Sequence, residues 1–305
     1  MIDVVIPVYR PDEKLEKLIG KLNTQTVRPD HVFFMHTLTG TEEDEQVRHV
    51  LEKAEHGVIT AVEKKDFDHG GTRNQAAAMS QADFVLFLTQ DVVPVDDVLI
   101  ENLLRQMERD TVAVAYGRQL PGKDVGVTEQ FTRQFNYPEQ SFCKSKKDLE
   151  RLGIKTYFCS NACAVYRKRV YDEIGGFVLH TIFNEDMIMA ASVIGAGYEI
   201  AYAADARVVH AHKYTYRQQF SRNFDLAVSQ RQYHEIFDSV RSETEGIRLV
   251  KDTAKFLLKK GKWYLLPDLV LQSGFKFLGY RFGKKYDKLP KKLVKHWSMN
   301  KGYWN

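Results

Sequence analysis

Four short stretches of this 305-residue chain carry side chains able to hold a metal, an anion or a proton. Thr89-Gln90-Asp91 directly follows the apolar run 84–88. A carboxylate at the carboxyl end of a buried strand faces the crevice where open α/β sheets take their ligands. A divalent cation on diphosphate oxygens asks for hard oxygen ligands and only one or two protein carboxylates. Asp91 meets that need; the plainer alternative is a turn or cap ahead of Val92-Val93-Pro94. Asn184-Glu185-Asp186 sets two carboxylates side by side. At a helix start they are favourable for the dipole alone, but one of them would also serve as general base toward a hydroxyl. His210-Ala211-His212 ends an apolar strand. Alternation along a strand predicts that at most one of the two faces the crevice, and a lone imidazole there also reads as a hydrogen-bonded structural residue. In Phe67-Asp68-His69-Gly70-Gly71-Thr72-Arg73-Asn74, two glycines let backbone approach a ligand and a helix start offers free N–H groups to an anion. Arg73 forks onto a phosphate or a base carbonyl. This stretch is neither a P-loop nor a dinucleotide fingerprint, and Gly-Gly before a helix is also an ordinary turn.

The elements that must position these groups follow from hydrophobic period. Residues 2–8 form a β-branched buried strand ended by Pro7-Val8-Tyr9-Arg10-Pro11. Leu15, Leu18, Ile19 and Leu22 recur at helical spacing, 31–35 is a second strand, and Thr41 with Asp44 predicts a capping box opening a helix to Ala54. Strands at 58–62 and 84–88, helices from about Thr72 to Gln81 and over 96–107, and a fifth strand at 112–116 complete five strand–helix alternations. That pattern predicts a doubly wound, mainly parallel sheet. Further on, 156–166 reads as a strand and 168–174 as a helix closed by Gly175-Gly176. Asn184 reads as the cap of a helix over 185–196, and 198–202 and 206–209 as two strands. From Tyr214 onward the pattern is helical and polar.

Composition sets the surroundings. Residues 251–305 carry 14 Lys/Arg against Asp252, Asp268 and Asp287, a charge of +11, whereas the whole chain is +4, so the rest is −7. An acidic body with a basic tail does not suit nucleic acid. The tail interleaves its charges with Phe256, Leu257, Leu258, Trp263, Tyr264, Leu265, Leu266, Phe275, Phe277, Tyr280 and Phe282. Basic and aromatic without a spanning run predicts a surface that lies on anionic lipid, the alternative being a helical subdomain packed on the body. Three cysteines (Cys143, Cys159, Cys163) read as free thiols in a reducing compartment rather than as metal ligands. No signal-peptide pattern opens the chain, which predicts a cytoplasmic protein peripheral to the inner face of the plasma membrane.

Taken in order, Val4-Val5-Ile6-Pro7-Val8-Tyr9, the block 67–74, Leu88-Thr89-Gln90-Asp91-Val92-Val93-Pro94, residues 158–166, Gly175-Gly176-Phe177, Asn184-Glu185-Asp186, Val209-His210-Ala211-His212 and the tail from Leu278 to Trp304 resemble a family-2 glycosyltransferase of the GT-A fold. More narrowly, they resemble bacterial rhamnosyltransferases. The resemblance covers nearly the whole chain. It implies a GT-A catalytic domain over 1–213, with a nucleotide-sugar half at 1–117 and an acceptor half at 118–213, followed by a helical, basic, membrane-associating region over 214–305. It implies an inverting transfer of a sugar, L-rhamnose from dTDP-rhamnose, onto a hydroxyl of a lipid-linked oligosaccharide of a surface polysaccharide, with a divalent cation, Mn or Mg, as cofactor. Asp91 would correspond to the last acid of the family's DxD motif, and His210, or alternatively His212, would be a further metal or diphosphate ligand. Asp186 would be the base, with Glu185 as its rival. Pro7, Tyr9, Gly71, Arg73, Asn74 and Gln90 would line the donor, and Ser160 and Asn161 the acceptor pocket. The chain departs from the family twice. Thr89 stands where the first DxD acid would be, and Met35-His36-Thr37 replaces the Asp-x-Ser that contacts the nucleotide in many relatives.

Two rivals need other features. A non-catalytic scaffold of a polysaccharide assembly complex would not need Asp91, Asp186 and His210 together. A nucleotidyltransferase would carry a glycine-rich basic loop after the first strand, where Pro7-Val8-Tyr9-Arg10-Pro11 stands instead.

Overall fold

A computed structural model describes residues 1–122, 125–240 and 243–304; Asn305, counted in the basic tail, lies outside them. The strands are β1 (Ile2–Val8), β2 (His31–Thr37), β3 (Gly57–Val62), β4 (Phe84–Leu88), β5 (Val93–Pro94), β6 (Val112–Leu120), β7 (Phe142–Lys144), β8 (Cys163–Arg167) and β9 (Glu199–Val209). The helices are α1 (Lys14–Asn23), α2 (Glu43–Leu51), α3 (His69–Met79), α4 (Leu99–Gln106), α5 (Val127–Asn136), α6 (Leu149–Leu152), α7 (Lys168–Ile174), α8 (Glu185–Gly195), α9 (Tyr216–Gln232), α10 (His234–Phe237), α11 (Glu243–Lys259), α12 (Leu266–Gly283) and α13 (Lys291–Trp297).

The strands form one sheet in the order β3-β2-β1-β4-β8-β6-β9-β5, with β7 also paired to β9. Both faces are covered, and the strand period shows why. Ile2, Val4, Ile6 and Val8 of β1 pack with Leu15, Leu18 and Leu103 on one side. Val5 joins Phe87, Ala76 and Ala77 on the other. Strands buried on both faces read as unbroken apolar runs, as β1 and β4 do. The first four strands are parallel neighbours, as the strand–helix alternation predicts. The fifth predicted strand does not join them directly: β8 runs antiparallel between β4 and β6.

Several local expectations are corrected. Thr41 does not cap α2. The Asp44 carboxylate instead accepts from the Thr39 and Gly40 N–H groups and the Thr39 hydroxyl, so it ties down the loop ahead of the helix. Within the predicted strand 156–166 only its end is extended, because 3-10 turns occupy Gly153–Tyr157. The two strands expected at 198–202 and 206–209 are one strand, β9. Its partner register jumps from Gly117↔Ala203 to Arg118↔Arg207, which hid its continuity from a simple period. Asn184 occupies the capping position of α8 in a left-handed conformation (φ 65°), but its amide donates to the Leu226 carbonyl on α9 instead of capping.

The second half of the chain folds back on the sheet. α12 lies against α9, close enough that a Cβ on Gly279 would stand 2.2 Å from the Phe220 carbonyl oxygen. Val294 of α13 packs with Ile182, Phe224 and Val228, joined by Trp297, Tyr303 and Trp304. The Met299 N–H donates to Asp225 at 2.8 Å. No helix among the described residues is long and apolar enough to cross a membrane.

Candidate active site

The chemistry-bearing residues converge at the carboxyl ends of the central strands. Asp91 leaves β4 and meets both histidines that follow β9: its Oδ2 is 3.4 Å from His210 Nε2 and 3.2 Å from His212 Nε2. The expectation that only one imidazole faces inward fails because β9 stops at Val209. Beyond it the chain no longer alternates, and the two Nε2 atoms come within 2.9 Å of each other. These three ligand atoms all lie within 4.8 Å, a donor set of two imidazoles and one carboxylate suited to a divalent cation.

Hydrogen bonding fixes the tautomer of one histidine. Arg133 of α5 has only donors, and its Nη1 lies 2.7 Å from Gln119 Oε1. The contacting atom of Gln119 is therefore its oxygen, and that oxygen can only accept from His210 Nδ1 at 2.8 Å. His210 thus keeps a proton on Nδ1 and leaves Nε2 to face Asp91 and His212, donating to Asp91 when the ring is charged and offering a lone pair when it is neutral, the outer-shell arrangement that orients metal-ligating histidines. Gln119 is 3% exposed and hands its amide N–H to Ser160 Oγ at 2.9 Å. Burial disfavours the Asp91 carboxylate, but the hydrogen bond and charge from His210, with His212 behind it, outweigh burial and hold Asp91 well below the usual range. Burial, then His210, pushes His212 down to about 4.

Glu185 and Asp186, at the start of α8, divide their work. Glu185 forms an ion pair with Arg73 at 3.5 Å. Burial resists its charge, yet Arg73 and His69 overcome that and keep its carboxyl low. Asp186 accepts N–H bonds from Met187 at 2.8 Å and Asn161 at 3.4 Å. Burial, reinforced by the neighbouring Glu185 charge, raises its carboxyl. Two adjacent acids whose surroundings push their pKa values apart are the mark of an acid/base assignment. Asn161 is held in turn by the Tyr166 hydroxyl at 2.8 Å. Beneath this loop, buried Lys144 donates to the carbonyls of Phe158 and Lys155; burial lowers its ammonium to about 7.

A cavity of about 1,910 Å³ opens beside these groups. Pro7, Tyr9, Arg73 and Gln90 line it, as does Thr37, whose buried hydroxyl has no hydrogen-bond partner among the described residues. The Gln90 amide grips the Tyr9 backbone at both ends, accepting from its N–H at 2.7 Å and donating to its carbonyl at 2.8 Å. Two further predicted donor contacts have other employment. The Asn74 amide is spent on both main-chain groups of Phe177 and on the Tyr171 hydroxyl. The Gly71 N–H is taken by Asp68 at 2.6 Å. The close approach that Gly70 permits is to the Val178 carbonyl, 2.0 Å from where a Cβ would stand, and not to a ligand.

Gln119, Arg133, Tyr166 and Lys144 escaped the sequence reading. Gln119 had a usable signal: it is a polar residue at the carboxyl end of a central strand, hidden because β6 runs four residues past Tyr116. The others come from elements whose docking no local pattern reveals.

The Glycosyl transferase family 2 model matches residues 3–175. The chain is 39% identical over 310 residues to O-antigen chain rhamnosyltransferase RfbN of Salmonella typhimurium, covering 100% of this chain and 96% of that protein. It is 43% identical over 253 residues to O-antigen chain rhamnosyltransferase WbaN of Salmonella anatum, covering 81% and 79%. In fold it is similar to mannosyltransferase PcManGT from Pyrobaculum calidifontis, solved with GDP-Man and Mn2+ (TM-score 0.57, 14% identity, 99% of this chain and 84% of that one). It is also similar to S. aureus TarS 1-349 with UDP-GlcNAc (TM-score 0.56, 14% identity, 94% and 91%).

Proposed function

Since this chain belongs to glycosyl transferase family 2, and is therefore a glycosyltransferase, we propose that it transfers L-rhamnose from dTDP-rhamnose, with inversion, to a hydroxyl of a lipid-linked oligosaccharide. The relatives named as O-antigen chain rhamnosyltransferases support the sugar and the polysaccharide context. The observation that carries the mechanism is a pair of hydrogen-bonded links joined by the Ser160–Asn161 peptide bond. One runs from His210 through Gln119 to Ser160, and in the other the next residue, Asn161, reaches Asp186. The cation-suited cluster and the raised carboxyl are thus held in one frame.

In this reading Asp186 takes the proton of the acceptor hydroxyl as its oxygen attacks the anomeric carbon. Glu185 keeps Arg73 oriented at the cavity wall, where the guanidinium meets the anionic donor. Pro7, Tyr9 and Gln90 shape the donor cavity, and Ser160 and Asn161 the acceptor side. Asp91, His210 and His212 would hold a divalent cation, which when bound neutralises charge on the leaving diphosphate. Two imidazoles among three ligands favour Mn over Mg, which takes oxygen ligands.

The membrane contact of the basic region rests on α12. Its outward stripe, Pro267, Val270, Leu271, Gly274, Phe277 and Leu278, is exposed and apolar, while the polar Gln272, Ser273, Lys276 and Tyr280 are half-buried beside the buried Leu269, Gly279 and Gly283. A helix facing water does not present such a stripe outward. Exposed Trp263 and Tyr264 extend the face, and Lys251, Lys255 and Lys259 lie on the preceding helix, α11, with Lys260 directly after it. An anionic bilayer at the inner face of the plasma membrane matches both properties. Incubation with a panel of nucleotide sugars and Mn2+ or Mg2+, reading released nucleoside diphosphate, tests the activity; release from no donor in the panel would sink it.

A further inference from the structure

Residues 286–304 belong to the basic tail by charge, but their place in the fold differs from that of α12. Tyr286, Leu289, Lys291, Lys292, Tyr303 and Trp304 line the same cavity as Pro7, Tyr9, Thr37 and Arg73, on the side facing the strand ends. The segment is anchored there. The Tyr303 hydroxyl donates to the His180 carbonyl at 3.1 Å and receives the Gln232 amide at 2.9 Å, Arg231 pairs with Asp287 at 3.3 Å, and Val294 is buried against α9.

We infer that residues 286–304 are a wall of the donor site, with Lys291 and Lys292 receiving the anionic nucleoside diphosphate part of the donor, and are not lipid-facing tail. The inference rests on the transferase reading and deepens it.

Two independent observations support it. First, the sheet side of the cavity holds buried polar atoms without partners among the described residues, the Thr37 hydroxyl and Arg73 Nε, on residues only 2% and 5% exposed. Buried polar atoms in folded proteins are nearly all satisfied, so these point to a polar ligand in the cavity. Second, the lining is cationic from both sides. Lys64 and Lys65 come from the β3–α3 connection, Arg73 from the first turns of α3, and Lys291, Lys292 and Lys295 from α13. Against them stand Asp66, Asp68 and Asp287. Asp68 is engaged by the Gly71 and His180 N–H groups and Asp287 by Arg231. Cations outnumber carboxylates in this lining, and a concave site with an excess of one sign of charge focuses an oppositely charged ligand. The cavity is also larger than the roughly 300–1,000 Å³ usual for one small ligand, which leaves room for a nucleoside diphosphate to reach from the strand ends to α13.

The test separates the two parts of the tail. The doubly substituted variant Lys291→Glu/Lys292→Glu is titrated calorimetrically with dTDP and Mn2+ and sedimented with phosphatidylglycerol-containing vesicles. The expected result is a dissociation constant for dTDP raised at least about tenfold, the weight of one charge-assisted contact or more, with vesicle binding unchanged. The milder Lys291→Gln/Lys292→Gln variant, expected to lose affinity to a smaller degree, stands in if charge reversal disturbs folding as judged by circular dichroism. Unchanged dTDP affinity in a folded variant overturns the inference. So does loss of vesicle binding with dTDP affinity retained, which returns the segment to the lipid-facing tail. Failure of the wild-type protein to bind any of dTDP, UDP or GDP with Mn2+ would overturn the transferase reading itself, and this inference with it.

Discussion

Replacing Gln119 by leucine should damage cation binding without touching a ligand. Gln119 holds His210 Nδ1 at 2.8 Å and is itself oriented by Arg133 and Ser160. Leucine fills a similar volume but accepts nothing, so the His210 ring loses both its tautomer lock and its fixed rotation. Loss of an outer-shell partner costs about 10–100-fold in metal affinity, or about 1.4–2.7 kcal/mol. The substitution also removes the Gln119 donor from the half-buried Ser160 Oγ, a net cost of about 0.5–1.5 kcal/mol for one lost hydrogen bond. Arg133 keeps Glu129 at 2.9 Å and is not orphaned. Gln119→Glu is the companion variant: a carboxylate still accepts from Arg133 and His210 and loses only the donation to Ser160. Calorimetric titration of Mn2+ in the presence of dTDP should therefore show weakened binding for the leucine variant and near-normal binding for the glutamate variant. A folded leucine variant with the wild-type Mn2+ isotherm would refute the reasoning, and so would equal loss in both.

Asp186→Asn should keep donor binding and lose turnover, whereas Glu185→Gln should retain more activity; the reverse outcome would move the base to Glu185. Because burial and Glu185 raise the Asp186 carboxyl to about 7 from 3.8, kcat/KM should climb as pH rises through about 7, since only the carboxylate accepts a proton. Its stability effect runs the other way, full below about pH 4 and lost as pH rises through the folded value; a rate profile flat across neutrality would refute the assignment. Gly279→Leu would force a side chain into the Phe220 carbonyl 2.2 Å from its Cβ, so thermal unfolding should show a loss of at least about 1–3 kcal/mol from overpacking. Val270→Asp with Phe277→Asp should release the protein from anionic vesicles while leaving dTDP binding intact, and retention on the vesicles would end the membrane assignment of α12.

Much of this protein is written locally. The buried strands at 2–8 and 84–88 are legible because a strand covered on both faces cannot alternate, and carboxyl ends of parallel strands are where a crevice forms. That logic places Asp91 at the strand ends, and the adjacent acids Glu185 and Asp186 open α8 as their spacing predicts. Tertiary structure decided what a period cannot carry. β8 enters between β4 and β6 from a distant part of the chain, and the end of β9 at Val209 lets His210 and His212 come together onto Asp91. The amides of Asn74 and Gln90 look like ligand groups in one dimension, but each is consumed by backbone it meets only on folding. The basic tail shows the division most clearly. Composition determined its charge and its aromatic content, because those are sums over residues. Whether a given lysine faces lipid or the donor cavity depends on how α12 and α13 dock on α9, a matter of packing between segments far apart in the chain, and only the fold sets that.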